Sequence, residues 1–291
     1  MTDSIRPMRS ALFLPASNHR AIEKARGLAA DVVILDLEDA VAPEAKAAAR
    51  AAALAAVDGG GFAAPTLVVR VNALETEWGA DDLAAIAGSR ADAVLVPKIA
   101  TAGDVELYHA ELAGADPAMR LWVMIETCRA ISQLQVIADM AAHTRLAAMV
   151  VGTNDLALEL RARPSADRAG LVPYLALAVA AARAGGIAVL DGVCNDFTDL
   201  ERFASECAQG RALGFDGKSL IHPAQVAPCN TAFSPDPPEI DRARAVIAAF
   251  ADPANAGKGA IQVAGRMAER LHLKEAERAL ALAALAQRGD G

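Results

Sequence analysis

The chain has 291 residues, 54% hydrophobic and 22% charged, which is enough apolar material for a large core and excludes a disordered or fibrous protein. Its 28 basic and 36 acidic residues give a formal net charge of −8, which argues against a broad nucleic-acid footprint or an anionic membrane surface as partner. No run reaches the roughly 18 apolar residues of a membrane helix, and residues 1–7 are too short and polar for a signal peptide, so a cytoplasmic address is expected.

Short β-branched runs alternate with alanine-rich stretches of helical period. In chain order, the pattern predicts a strand at 10–14 and a helix at 18–30, a strand at 32–37 and a helix at 43–57, and a strand at 66–71 and a helix at 77–88. Strands at 93–96, 121–125, 146–151 and 187–190 follow, with helices at 101–112, 130–142, 173–184 and 199–213 and a weaker strand within 214–220. Thr101 and Pro173 are helix-opening residues, and several helices end near glycine. The strands are apolar on both faces, as a parallel sheet covered by helices requires. Eight βα repeats predict an α/β fold, a closed TIM (β/α)8 barrel, and the 4% aromatic content suits helices packed closely on its sheet. A doubly wound dinucleotide fold would need a glycine-rich first turn, which Leu14-Pro-Ala-Ser-Asn-His19 lacks.

Ser234-Pro-Asp-Pro-Pro238 is a rigid break. A helix at 239–250, a loop at 252–259, a short strand at 260–263 and a helix at 269–286 are expected beyond it. The organisation predicted is a barrel over 1–230 and a C-terminal helical extension over 231–291 that caps the barrel, its own or a neighbouring subunit's.

In a parallel barrel the loops after the strands gather at one rim, which carries the chemistry. Here nearly every strand end offers a charged group: Asp36, Arg70, Lys98, Glu126, Asp155, Asp191 and Lys218. Glu126 and Asp155 follow consecutive strands, and two adjacent carboxylates repel unless one is protonated or a cation lies between them. Hard oxygen ligands of this kind suit Mg²⁺. Arg70 offers a planar fork for a substrate carboxylate. The alternatives are separate salt bridges of Glu126 and Asp155 with Arg70 or Lys98, and a plain ion pair of Arg70 with Glu38 or Asp39. Cys128, Cys194, Cys207 and Cys229 form no CxxC pair, so zinc is not expected and a reducing compartment fits. His19 and His222 read as structural, and Lys98 and Lys218 as electrostatic groups rather than Schiff-base nucleophiles.

Arg9-Ser-Ala-Leu-Phe-Leu-Pro15, Leu35-Asp-Leu-Glu-Asp-Ala-Val-Ala-Pro43 with Lys46 and Arg50, Val69-Arg-Val-Asn72, Val96-Pro-Lys98, Met124-Ile-Glu-Thr127, Gly152-Thr-Asn-Asp-Leu156 and Gly217-Lys-Ser-Leu-Ile-His-Pro223 occur in this order. Together they resemble the HpcH/HpaI aldolase and citrate lyase family over nearly the whole chain. The branch indicated holds citrate lyase beta-subunit-like proteins and malyl-CoA or citramalyl-CoA lyases. The resemblance implies a carbon–carbon lyase with Mg²⁺, or Mn²⁺ in its place, held by Glu126 and Asp155, and with substrate bound by Arg70 and Glu126. The implied reaction cleaves a 3-hydroxyacyl thioester of CoA or acyl carrier protein into an acetyl-type thioester and a 2-oxo acid.

In the CoA-lyase branch a C-terminal Gly-Lys-Met-Ile-Asp string supplies a proton-transfer aspartate from a neighbouring subunit, which implies a homo-oligomer, trimer or hexamer. This chain has Gly265-Arg-Met-Ala-Glu269, so Glu269 takes the catalytic position alongside Arg70. Phe13 and Lys24 match positions near CoA, and Arg20 lies one helical turn before Lys24; a solvated helix face explains the two charges equally well. Competing readings are a metal-dependent pyruvate aldolase, disfavoured by Asp39 where that branch has histidine, a malyl-CoA-type thioesterase, and a non-catalytic subunit.

Overall fold

The computed structural model describes residues 6–163 and 165–289. Eight parallel strands close in chain order: β1 (Ser10–Pro15), β2 (Val32–Asp36), β3 (Thr66–Arg70), β4 (Ala93–Val96), β5 (Arg120–Ile125), β6 (Leu146–Val151), β7 (Ala188–Asp191) and β8 (Gly217–Leu220), with β8 pairing back onto β1. Around them run α1 (His19–Ala25), α2 (Lys46–Gly59), α3 (Gly79–Ala87), α4 (Ala102–Glu111), α5 (Cys128–Ser132), α6 (Leu134–Asp139), α7 (Thr153–Leu160), α8 (Val172–Gly185), α9 (Leu200–Leu213) and α10 (Val226–Phe233). This is the TIM-barrel architecture expected.

Successive side chains on a strand point to opposite faces, and here the two faces meet two cores. Val32, Ile34, Val68, Leu95, Trp122, Met124 and Val150 fill the barrel interior. Their neighbours Val33, Leu35, Val69, Val94, Val123 and Val151 pack outward under the helices. Both parities are therefore apolar, which is why the strands read as continuous hydrophobic runs. Helix ends follow local chemistry. Thr101 opens α4 with a capping box, its hydroxyl accepting from the Asp104 N–H while Asp104 Oδ2 accepts from the Thr101 N–H at 2.8 Å. Gly186 and Gly214, at φ of +69° and +99°, stop α8 and α9 in the left-handed conformation that glycine adopts without penalty.

Several boundaries differ from expectation. The first helix stops at Ala25, not residue 30, because the next residues turn to bring Asp31 under Arg9, whose Nε and Nη2 donate to its carboxylate at 2.8 and 2.9 Å. The helix predicted at 130–142 breaks at Gln133 into α5 and α6. Helices α7 and α10 were not expected; α10 runs past residue 230, and Asn230 staples it to Ser10 Oγ at 2.7 Å and to the Ala29 carbonyl at 2.7 Å.

The described residues divide into two compact units, Met8–Phe233 and a second that begins at Ser234 and includes Arg6 and Pro7. In the second, Asp236 and Glu239 form a capping box at the start of α11 (Pro237–Ala251), followed by a hairpin of β9 (Ala260–Val263) and β10 (Arg266–Glu269) and then α12 (Arg270–Gly289). Glu269 thus ends a strand instead of starting a helix, and its N–H donates to His272 Nδ1 at 2.9 Å. The hairpin turns at Ala264 and Gly265, both at positive φ. Among the described residues no helix is long and apolar enough to cross a membrane.

Inside the barrel wall lies a buried charge cluster. Lys218 Nζ donates to Asp191 Oδ2 at 2.9 Å, Arg168 Nη1 reaches both oxygens of Asp191 at 2.9 Å, and Glu206 Oε2 stands 3.3 Å from Lys218. Asp191 and Lys218 are fully buried. Removing one member leaves buried charges without compensation, so Asp191→Ala is expected to destabilise the fold by about 3–5 kcal/mol in chemical denaturation.

Candidate active site

Strand parity carries charge to the mouth of the barrel. Two residues beyond inward Ile34, Val68 and Met124 stand Asp36, Arg70 and Glu126, and Asp36 and Arg70 are register partners on β2 and β3. With Phe13 on β1 and Asp155 in the first turn of α7 they line one cavity of about 360 Å³. Four of the predicted site residues, Phe13, Arg70, Glu126 and Asp155, are thus brought together. Arg20 and Lys24 lie exposed on α1 and are not among the lining residues, and Glu269 belongs to the second unit.

Arg70 is braced from three sides. Its Nε and Nη2 donate to Asp36 Oδ1 and Oδ2, both at 2.7 Å, while Nη1 lies 2.7 Å from Glu38 Oε2 and 3.6 Å from Asp39. The ion pairs with Glu38 and Asp39 that the sequence allowed are both present, but the bidentate partner is Asp36. Burial opposes the guanidinium charge, and the hydrogen bond and charge of Asp36, with Glu38 and Asp39, more than restore it, so Arg70 stays firmly protonated. Its face lies 5.0 Å from the centre of the Phe13 ring, a cation–π contact.

Asp36 is itself fixed, accepting from the Glu38 N–H at 2.9 Å and the Ala40 N–H at 3.2 Å. Beneath that loop, the buried Lys46 Nζ donates to the carbonyls of Leu37 and Glu38 and to Asn72 Oδ1, all within 2.8 Å. Asn72 in turn donates to Asp82, which also pairs with Arg50 at 2.6 Å. Burial raises the pKa of Glu38, against the pull of Arg70, and its Oε2 has no aligned hydrogen bond despite the close guanidinium.

Glu126 is 2% exposed, and its one hydrogen bond among the described residues is from the Lys98 backbone N–H to Oε1, at 2.8 Å. Lys98 sits at φ +55°, a left-handed conformation that turns this N–H toward the carboxylate. Lys98 Nζ turns to Glu38 instead, at 3.4 Å. Gly152 makes room on the other side, since an added Cβ would lie 2.6 Å from Glu126 Cβ. Burial, opposed by the Lys98 N–H and reinforced by the charges of Glu38 and Asp155, pushes the Glu126 carboxyl up to about 7. Asp155, half-buried, makes no hydrogen bond or ion pair with another described side chain. The alternative of two separate salt bridges is thereby excluded.

The donor set suits a hard divalent cation. Two carboxylates reach one cavity without cationic partners, one of them with its charge disfavoured by burial, and no third His, Cys, Asp or Glu among the described residues completes a closed protein cage. Such a set leaves coordination positions for water and substrate oxygens, as Mg²⁺ sites do. Asp36 as the partner of Arg70 was missed from the sequence, though counting parity back from both strand ends would have found it. Gly152 and the positive φ of Lys98 carry no sequence signal of their own.

A closed barrel with a paired carboxylate site and a braced arginine at its C-terminal rim defines an enzyme acting on small anionic oxygen compounds. The chain belongs to the HpcH/HpaI aldolase/citrate lyase family, whose model matches residues 9–223. It is 46% identical over 283 residues to a (3S)-malyl-CoA thioesterase of Cereibacter sphaeroides, covering 97% of each chain. It is 35% identical over 298 residues to an L-malyl-CoA/beta-methylmalyl-CoA lyase of the same species, covering 94% of this chain and 93% of the lyase. Among solved structures, CitE from Mycobacterium tuberculosis in complex with magnesium, acetoacetate and coenzyme A superposes with a TM-score of 0.74 at 33% identity, over 94% of this chain and 97% of that one.

Raising a carboxylate pKa on folding means that the folded state holds a proton the unfolded chain releases, so stability falls as pH climbs from 4.5 to about 7. Glu126→Gln removes the buried charge and keeps the acceptor for the Lys98 N–H. In metal-chelated buffer at pH 8 this variant is expected to exceed the parent by roughly 3 kcal/mol in chemical denaturation, a gain that shrinks away toward acid pH.

Proposed function

We propose that this protein is a Mg²⁺-dependent carbon–carbon lyase that reversibly cleaves a 3-hydroxyacyl thioester, of malyl or citramalyl type, into an acetyl-type thioester and a 2-oxo acid. The observation that carries the reading is the convergence of Glu126, Asp155 and braced Arg70 on one cavity at the barrel rim. The magnesium and coenzyme A in the CitE complex and the activity of the 35% identical lyase support it.

Glu126 and Asp155 would hold Mg²⁺, or Mn²⁺ in its place. When bound, the ion supplies Lewis-acid polarisation of the substrate's oxygens. Arg70 receives the carboxylate of the 2-oxo acid on donors whose direction Asp36 has already fixed, so little ordering is left for binding to do. In the cleavage direction the hydroxyl loses its proton, the bond to the thioester's α-carbon breaks, and its electron pair stays on that carbon until a proton returns. Glu269 of a neighbouring subunit is assigned this proton traffic. The exposure of Met267 at 68% and Leu271 at 53%, flanking Glu269, supports a covering role for the extension over 231–291 on a neighbour's 1–230 barrel in a homotrimer or hexamer. Phe13 would contact the thioester arm, Arg20 and Lys24 the CoA diphosphate, and the compartment is cytoplasmic.

A second reading is hydrolysis of the same thioester, favoured by the 46% identity to the malyl-CoA thioesterase. Incubation with malyl-CoA and citramalyl-CoA, following 2-oxo acid and free thiol separately, decides between them. Release of 2-oxo acid without thiol is expected, whereas thiol without 2-oxo acid establishes hydrolysis. Excess EDTA, or the Glu126→Gln and Asp155→Asn double variant, should cut turnover at least about 100-fold, and Arg70→Lys should raise KM for the 2-oxo acid and lower kcat/KM by roughly 100-fold. Full activity with EDTA would refute the metal-dependent reading.

Glu269 needs its own measurement. Glu269→Gln is expected to lower kcat by about 100-fold or more with little change in the affinity for 2-oxo acid, as removal of a proton-transfer group does. Unchanged turnover in that variant removes Glu269 from the mechanism.

A further inference from the structure

We infer that Asn154 and Asn195 form a partition that limits the 2-oxo acid to a small substituent, an inference that rests on the proposed lyase reaction. A second cavity of about 250 Å³ adjoins the first, and Thr153, Asn154 and Val193 line both. Asn195 lines only the second. The two side-chain amides pair reciprocally: Asn154 Nδ2 donates to Asn195 Oδ1 at 3.2 Å, and Asn195 Nδ2 donates to Asn154 Oδ1 at 2.8 Å. One amide belongs to the first turn of α7 and the other to the loop after β7, so the pair closes the seam between two loops of the rim. Gly192 permits their approach, because a Cβ there would meet Thr153 Cγ2 at 2.5 Å and the Val151 carbonyl oxygen at 2.7 Å.

Asn154 directly precedes Asp155. Asn154 also lines the first cavity with Glu126 and Asp155, so on this inference the remaining substituent of a 2-oxo acid held at that end lies against the amide pair. On this placement the pair admits hydrogen or methyl and obstructs an ethyl or longer chain. The cavity beyond is lined by Ala157, Ala162 and Leu171 together with Arg168, Arg202 and Glu206, and offers the room that a longer chain would enter once the pair is opened. Both amides are exposed and neutral, so truncating Asn195 leaves no buried charge or buried donor behind. Asn154 is left untouched because it abuts Asp155.

The test assays wild type, Asn195→Ala and Asn195→Ser with Mg²⁺ and acetyl-CoA in the condensation direction, against glyoxylate, pyruvate and 2-oxobutyrate. Thermal melts check that each variant is folded, and Asn195→Ser, which keeps a polar group, stands in if alanine is not tolerated. Opening the partition is expected to raise the ratio of kcat/KM for 2-oxobutyrate over glyoxylate at least about tenfold, the scale of one methylene in a fitted pocket, with glyoxylate itself changed by less than about threefold. Calorimetric titration of the 2-oxo acids without thioester should give the same ordering of Kd. A folded variant with an unchanged ratio overturns the partition and leaves the lyase reading standing. A wild type that neither binds nor turns over any 2-oxo acid overturns the lyase reading, and the partition with it.

Discussion

Two hydrogen bonds of 2.7 Å, from Arg70 to Asp36, hold the mouth of this barrel in its working shape. They exist because Asp36 and Arg70 are register partners on adjacent parallel strands and share the inward parity, so barrel closure delivers one beside the other. A buried charge pair costs several kcal/mol in lost hydration for each ion unless further hydrogen bonds compensate. Here backbone N–H groups of Glu38 and Ala40 complete the shell of Asp36, and that requirement bends the chain after β2 into its tight turn. The turn in turn exposes two carbonyls to Lys46 and sets Glu38 and Asp39 along the remaining edge of the guanidinium.

The strands were legible in the sequence because both of their faces are buried, leaving unbroken β-branched runs with helical spacers between them. Helix ends were less so. Residues 26–30 read as helical by period, but the tertiary pair of Asp31 with Arg9 pulls them out of it. Helix α7, at eight residues, is too short for its period to stand out, and it carries Asp155 in its first turn. The β9–β10 hairpin was half visible, since Ala260–Val263 is apolar enough to mark a strand while Arg266–Glu269 reads as polar. At the site, Glu126, Asp155 and Arg70 could be found because strand ends are where such a barrel keeps its chemistry, whereas Phe13 came from the family resemblance alone. The partner of Arg70 was obscured by three carboxylates within four residues, and only register distinguishes Asp36 from Glu38 and Asp39. The Asn154–Asn195 pair spans 41 residues and depends on Gly192, a contact that no local pattern announces.

Cleavage and hydrolysis of a malyl-type thioester make the same demands on a site up to the step at which they diverge. Both need an anionic oxygen substrate held by one carboxylate terminus and a thioester presented beside it. The relatives at 46% and 35% identity carry one name of each kind, and in this chain Glu126, Asp155 and Arg70 line one cavity. What separates the outcomes is access of water and of a proton-transfer group to the thioester.

The carboxylates at the rim also set the charge that an incoming substrate meets. Among the described residues lining the cavity, Asp36, Asp39, Glu126 and Asp155 stand against Arg70 as the one cation, a balance that disfavours an anion at the mouth. A thioester and a 2-oxo acid are both anions. A divalent cation held at the mouth would offset these carboxylates and supply the positive charge that an anionic substrate needs there.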